Sequence, residues 1–360
     1  MHMKRILFGV ALALSIHSLH AQPGKTENLI VVGWDGVRWE EVFTGVDSSI
    51  LNDRRYTRER NELKALYWND TLEVRRKKLF PFFWGAVQQN GQLYGNRELG
   101  NKVDVSNKWH ITRVGFTETL IGFADPAVNS NRSVAEKNTN VLELINHQPA
   151  YKGKVAVFAT SKLFDSILNV KRSGLYINCD SEAVALPGPE FQLLNEEQRL
   201  SPQIFGERLD LVTYFQAREY VKQYHPKVLY LNFSETDNYA HAGSYDWYIS
   251  TLHGQEQLIA DLWNYIQSIP QYKDKTTLLI APDHGRGNTK QHWTEHGPLP
   301  AESSQIFILA MGPDIPAIGE MKGDVQLYQG QIAATLAKFL GFDYKAEHPV
   351  LPVITTMFKN

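Results

Sequence analysis

Three short apolar runs in this 360-residue chain each lead into aspartate or histidine. They are Ile30-Val-Val-Gly-Trp-Asp35-Gly36, Leu231-Asn-Phe-Ser-Glu-Thr-Asp237 followed by His241, and Ile280-Ala-Pro-Asp283-His284-Gly285. A further histidine, His296, stands in Trp293-Thr-Glu-His-Gly297, where the glycine permits a tight turn. Imidazole nitrogen and carboxylate oxygen are proper donors for a divalent ion such as zinc. Singly, each signal is weak. An Asp-Gly after a strand is commonly a turn, Asp237-x-x-x-His241 also fits a helix-capping pair, and Asp283-His284-Gly285 also fits a loop. Their recurrence at three strand ends is what points to a shared metal site.

A common site requires elements that bring Asp35, Asp237, His241, Asp283 and His284 to one edge. The β-branched-rich runs Leu29–Val32, Val155–Phe158, Val228–Phe233, Thr277–Ala281 and Ile306–Ala310 are short and apolar enough to be strands buried on both faces. Between them, residues 138–146, 207–224 and 248–269 carry helical spacing, so strands and helices alternate. That order predicts an α/β domain with a largely parallel sheet, in which a site forms outside the carboxyl ends of the strands. Residues 52–78, dense in Arg, Lys and Glu, read as a solvated helical insertion. Residues 181–202, with three prolines, read as a surface loop or small cap. No repeat or low-complexity tract divides the chain, so residues 22–360 are expected to form one domain.

The bulk properties set outer limits. A chain that is 43% hydrophobic and 21% charged can bury a sizeable core. A net charge of -2 gives no electrostatic reason to expect nucleic acid or an anionic membrane as the partner, which leaves a small molecule. Met1-His-Met-Lys-Arg, the apolar run from Ile6 to Ile16, and the small-residue end at Ala21 have the order of a secretory signal. Residues 1–21 are therefore expected to be removed on export to the periplasm or medium. The apolar run is far shorter than the roughly 20 residues that span a bilayer, so no membrane span is expected in the mature chain. With Cys179 as the only cysteine, an intramolecular disulfide is impossible.

Taken in order, these motifs resemble the alkaline phosphatase superfamily, particularly its nucleotide pyrophosphatase/phosphodiesterase branch and related exported bacterial phosphatases. The resemblance spans Asp35 to about Phe342. It implies an alkaline-phosphatase-like three-layer α/β/α domain with a central, mostly parallel sheet and a small cap or insertions. It also implies two divalent ions, zinc by donor chemistry. Asp35, Thr112, Asp283 and His284 would hold one ion, and Asp237, His241 and His296 the other. The segment Thr112-Arg-Val-Gly-Phe-Thr-Glu-Thr-Leu-Ile-Gly122 is similar to the family stretch that begins with the attacking hydroxyl. It departs from the bacterial Ser-x-Pro-Gly-Tyr-x-Glu pattern at Thr112, Val114 and Phe116, and keeps Gly115 and Glu118. Thr112 is then the expected nucleophile, with a phospho-threonine intermediate and a small phosphate ester, mono- or diester, as substrate. A free threonine hydroxyl is a poor nucleophile near neutral pH, and metal coordination is one way to lower its pKa. Thr112 also fits a plain helix N-cap. For the phosphate oxygens the expected donors are Asn131, or Asn129 under a shifted alignment, together with Lys162 and Arg172 beyond the strand at Val155.

Three other readings compete. A sulfatase shares this fold but needs a Cys or Ser in a Cys/Ser-x-Pro-x-Arg pattern, whereas position 112 is threonine and Cys179 lies in no such motif. A cofactor-independent phosphoglycerate mutase uses serine in the cytoplasm, against the export signal. A catalytically silent metal-binding protein would be expected to have lost at least one ligand or the nucleophile.

Overall fold

The computed structural model describes residues 25–203 and 205–359, so the expected signal at residues 1–21 lies outside the described residues. The strands are β1 (Asn28–Trp34), β2 (Gly91–Tyr94), β3 (Asn101–Asp104), β4 (Val155–Ala159), β5 (Tyr176–Cys179), β6 (Val228–Phe233), β7 (Thr276–Pro282), β8 (Gln305–Ile306), β9 (Ile308–Met311), β10 (Gly319–Glu320) and β11 (Val325–Tyr328). Eight form the main sheet in the order β10-β2-β9-β7-β1-β6-β4-β5, and β11-β3-β8 form a small second sheet. β1 lies parallel between β6 and β7, with Trp34 in register with Phe233 and Pro282. The carboxyl ends of these three strands are therefore level, and the residues after them emerge side by side.

Side chains alternate across this sheet and enter two separate cores. Ile30, Val32 and Trp34 of β1 pack on one face with Tyr248, Ile249 and Leu252 of the helix Tyr245–Gln267. Leu29 and Val31 pack on the other with Phe116 and Leu120 of the helix Thr112–Ile121 and Ile332 of the helix Gln331–Phe339. β1, β4, β6 and β7 are buried along their whole length. A strand covered on both faces reads as a continuous apolar run, which is why these four are visible in sequence. The result is a helix–sheet–helix sandwich with a mostly parallel sheet, as expected.

Two expectations need correction. The run Ile306–Ala310 is not one strand. Gln305–Ile306 pairs with β3 in the small sheet, and Ile308–Met311 runs antiparallel to both β7 and β2. The chain crosses between sheets beside Gly95, where a Cβ would collide with Phe307. Residues 181–202 are not purely loop: Pro189–Leu200 form a helix, with Gly188 as N-cap and Pro189 at the first helical position, where its missing N–H costs nothing. Residues 52–78 carry the short helix Arg60–Tyr67 and most of the helix Leu72–Leu79. Among the described residues, no helix is long and apolar enough to cross a membrane.

Candidate metal centres and nucleophile

The turn after β1 delivers Asp35, and the helix Glu235–His241 after β6 carries Asp237 and His241 four residues apart on one face. The turn after β7 delivers Asp283 and His284. With His296 from the loop beyond β7, the metal-type side chains of these three strand ends fall into two groups, Asp35/Asp283/His284 and Asp237/His284/His296, and the donor atoms of each group lie within 4.8 Å of one another. His284 belongs to both. His241 joins the second group through Nε2, 3.1 Å from Asp237 Oδ2 and 2.9 Å from His296 Nε2.

In the first group, His284 Nε2 stands 3.5 Å from Asp35 Oδ1 and 3.3 Å from Asp283 Oδ2. All three atoms are buried without a hydrogen-bond partner. Burying carboxylates and an imidazole lone pair unpartnered is costly. Donors held ~2.0–2.1 Å from a tetrahedral ion stand ~3.3 Å from one another, so the spacing fits an ion that would satisfy all three. The tautomers fit as well. His284 Nδ1 is 2.9 Å from the Gly285 carbonyl and His296 Nδ1 is 2.8 Å from the His110 carbonyl. Each Nδ1–H donates there, which leaves Nε2 as the lone-pair nitrogen of each ring.

Electrostatics follow from this crowding. Burial, then the charges of Asp283 and Asp237, push the Asp35 carboxyl well above the usual carboxylate range. Burial and Asp237 do the same to Asp283. Burial pushes His284 well down, with help from His296, and pushes His296 down to about 4. Both imidazoles are thus neutral near pH 7, the form that binds a cation. Asp237 behaves differently: burial, the largest single influence, would raise it, but Arg286, His296 and His241 together outweigh burial, and the carboxyl lies well below its ordinary range.

Thr112 is the first residue of the helix Thr112–Ile121, one position inside the N-cap, which is Ile111. Ile111 has no side-chain acceptor, so apart from the Arg113 N–H the first-turn donors have no side-chain cap and suit an anion. The helix packs directly over the ligand-bearing strand ends. A Cβ at Gly115 would collide with the Asp283 backbone, and one at Gly33 with Phe116. Asn131 lies at the same helix end, its Oδ1 accepting the Arg113 N–H at 3.0 Å. Asn129 and Lys162 are exposed.

Arg172 is a correction. All five N–H donors of its guanidinium have protein acceptors: the Glu143 carboxylate at 2.8–3.3 Å, and the carbonyls of Glu136, Lys137 and Asn138 at 2.7–2.9 Å. It fastens the 136–143 segment and has no donor left for phosphate.

Sequence reasoning missed the residues that hold the candidate ligands. Arg286, three positions after Asp283, is buried and touches Asp237, His241 and the carbonyls of Trp293 and Thr294. Asp210 accepts the N–H groups of Ser234 and Glu235 at 3.0 Å each and so fixes the entry to the helix bearing Asp237. Glu118 accepts from the Ser106 and Asn107 backbones at 2.8 and 2.9 Å, and Asn107 Oδ1 accepts the His110 N–H. This arrangement keeps His110 at φ 44, in the left-handed region, with its carbonyl on His296. Of these, Glu118 alone was marked by the resemblance.

No protein-family profile and no curated protein matches the sequence. Similar solved structures do. BT1596, described as a 2-O GAG sulfatase, superposes with TM-score 0.59 at 12% identity, over 92% of this chain and 74% of that one. The lipoteichoic acid synthase LtaP from Listeria monocytogenes gives TM-score 0.59 at 12% identity, over 90% and 74%. The alkaline phosphatase PafA gives TM-score 0.59 at 10% identity, over 93% and 99%. At such identities the likeness concerns the fold alone, and the fold of this chain is alkaline-phosphatase-like.

Proposed function

We propose that the protein is an exported hydrolase of phosphate esters that works through a covalent intermediate on Thr112, with two divalent ions, zinc by donor preference. One observation carries this reading. Two clusters of Asp and His donors share His284 beneath the start of a helix whose first residue is a threonine. The first ion would be held by Asp35, Asp283 and His284 with Thr112, the second by Asp237, His241 and His296. When bound, such ions supply Lewis acidity, which lowers the pKa of a coordinated hydroxyl and stabilises charge on the leaving oxygen.

The chain's own groups supply the rest. Thr112 Oγ1 loses its proton and attacks phosphorus; the Oγ1–P bond forms as the bond to the leaving oxygen breaks, releasing the alcohol. Water then cleaves the P–Oγ1 bond, giving phosphate from a monoester or the remaining monoester from a diester, and its proton restores the threonine hydroxyl. Free N–H groups at the helix start stabilise the non-bridging oxygens. Asn131, anchored through Oδ1, keeps its amide N–H donors for the same oxygens, and Lys162 supplies a positive rim. Among the neighbours' chemistries, threonine at 112 favours phosphate over sulfate esters, because it cannot supply a formylglycine. Cys179 cannot do so either, since it is buried at the end of β5 beside Asp165. The likeness of the motifs to the nucleotide pyrophosphatase/phosphodiesterase branch makes a diester a natural first substrate beside simple monoesters.

The test is Thr112→Ala and Thr112→Ser, assayed with aryl phosphate mono- and diesters and with aryl sulfate in the presence of zinc. The alanine variant is expected to lose at least about a thousandfold in kcat/KM, on the order of 4 kcal/mol of transition-state stabilisation. The serine variant, which keeps the hydroxyl, is expected to retain more. An alanine variant with undiminished turnover removes Thr112 as nucleophile. Turnover confined to the sulfate ester removes phosphate as substrate.

A further inference from the structure

The two donor groups are not equivalent, and the difference lies in a residue outside both. Asp35 Oδ1, Asp283 Oδ2 and His284 Nε2 are buried and unpartnered. At Asp237, His241 and His296 the corresponding atoms are already engaged. Asp237 Oδ1 is paired with the Arg286 guanidinium, Asp237 Oδ2 lies 3.1 Å from His241 Nε2, and that nitrogen lies 2.9 Å from His296 Nε2. Arg286 also approaches His241 Nδ1 at 3.3 Å. It is 1% exposed and pinned by the Trp293 carbonyl at 2.9 Å and by that of Thr294. Gly36, at φ 62, leaves the room in which the pair meets, since a Cβ there would strike both Asp237 and Arg286.

A buried guanidinium against a buried carboxylate is a complete ion pair, and a divalent ion entering beside it meets a fixed positive charge in a poorly screened setting. We propose that Arg286 is the built-in counter-cation of the Asp237–His241–His296 centre, so that the two centres fill in a fixed order. The Asp35–Asp283–His284 centre takes an ion first; the second fills more weakly, as the incoming ion competes with the guanidinium for Asp237. The inference rests on the two-ion reading above. It extends that reading by making occupancy of the second centre sensitive to metal supply while the first stays loaded.

The experiment titrates the full-length, chelator-stripped protein with Zn2+ by calorimetry and with Co2+ by visible absorption. Two successive steps are expected, the second at least about tenfold weaker and absent in Asp237→Asn. Arg286→Met removes the competing charge and is expected to bring the second step to within a fewfold of the first. Arg286→Lys keeps the charge and should leave the gap in place. Metal-free Arg286→Met should also melt lower than the metal-free parent, with the zinc-loaded pair close together, because the ion replaces the missing charge. If Arg286→Met does not fold without metal, Arg286→Gln serves in its place. Two ions binding in one indistinguishable step, or a second step weakened by loss of the charge, overturns the inference and leaves the two-ion reading standing. Uptake of fewer than two ions by the parent protein overturns both.

Discussion

Gly115 offers a perturbation whose effects on stability and on catalysis should separate. The helix Thr112–Ile121 lies so close to the strand end carrying Asp283 that a methyl at 115 would sit 2.8 Å from the Asp283 carbonyl carbon and 3.0 Å from its Cβ, and closer still to the carbonyl oxygen. Ordinary contact begins at 3.4 Å, so Gly115→Ala forces the helix back by roughly 0.5–1 Å at the point that sets the distance from Thr112 to the metal ligands. Overpacking costs about 1–3 kcal/mol, while replacing a mid-helix glycine by alanine returns about 1 kcal/mol. The net loss of stability is therefore about 0–2 kcal/mol. No such compensation exists for the reaction, where a misplacement of about 1 Å costs on the order of a hundredfold. Measured side by side, kcat/KM on an aryl phosphate should fall about a hundredfold in a variant that still melts cooperatively and retains its first bound ion. Parental kcat/KM in the fully metallated variant would show that Thr112 is not positioned through this contact. So would a loss that merely follows the fraction unfolded at the assay temperature.

The remaining predictions concern other parts of the molecule. Chelation should abolish turnover, and zinc should restore it better than magnesium or calcium, because His241, His284 and His296 offer nitrogen to ions that prefer oxygen; equal recovery with magnesium would contradict the donor argument. Asn131→Ala should lower kcat/KM by about 10- to 100-fold with Asn129→Ala near parental, and the reverse order would move the phosphate contact to Asn129. Glu256 accepts the Phe82 and Phe83 N–H groups from inside the core, and burial pushes its carboxyl from 4.5 up to about 7. The fold thus favours the protonated form, a contribution fully present below about 4.5 and lost as pH rises through about 7, worth roughly 3 kcal/mol. Chemical denaturation of Glu256→Gln and the parent should give similar stabilities at pH 4 and a more stable variant at pH 8; parallel curves across that range would refute the assignment.

How much of this could be seen in sequence depended on burial. β1, β4, β6 and β7 are covered on both faces and read as unbroken apolar runs. β5, Tyr176-Ile-Asn-Cys, lies at the sheet edge and mixes polar and apolar residues, and β2, Gly91-Gln-Leu-Tyr, is too short and polar for periodicity to register. The division of 305–311 between two sheets was hidden for another reason. It is a tertiary event, a crossing beside Gly95, and nothing local in the run marks it. The helix at Pro189–Leu200 had a local signal in Gly188-Pro189, which can close a loop or open a helix; the prolines around it favoured the loop.

At the site, residue type singled out the donors that the structure brings together and failed for the cations. Asp35, Asp237, Asp283 and His284 could be singled out because acid and imidazole at the ends of apolar strands are unusual, and the parallel register then brings those ends together. Arginine has no such contrast, since it is common on every surface, and its role depends on which carboxylate it meets. Arg172, just beyond a strand end, looked placed for phosphate, yet Glu143, twenty-nine positions earlier, takes its guanidinium. Arg286 stood in the most informative motif of the chain and drew no notice, yet it reaches Asp237 across forty-nine positions. The available clue was backbone, not charge: Gly285 and Gly287 flank it, and a Cβ at either would strike a neighbouring carbonyl oxygen. A long side chain held between two glycines in a turn packed that tightly is directed inward, where the guanidinium pairs with the buried Asp237 carboxylate.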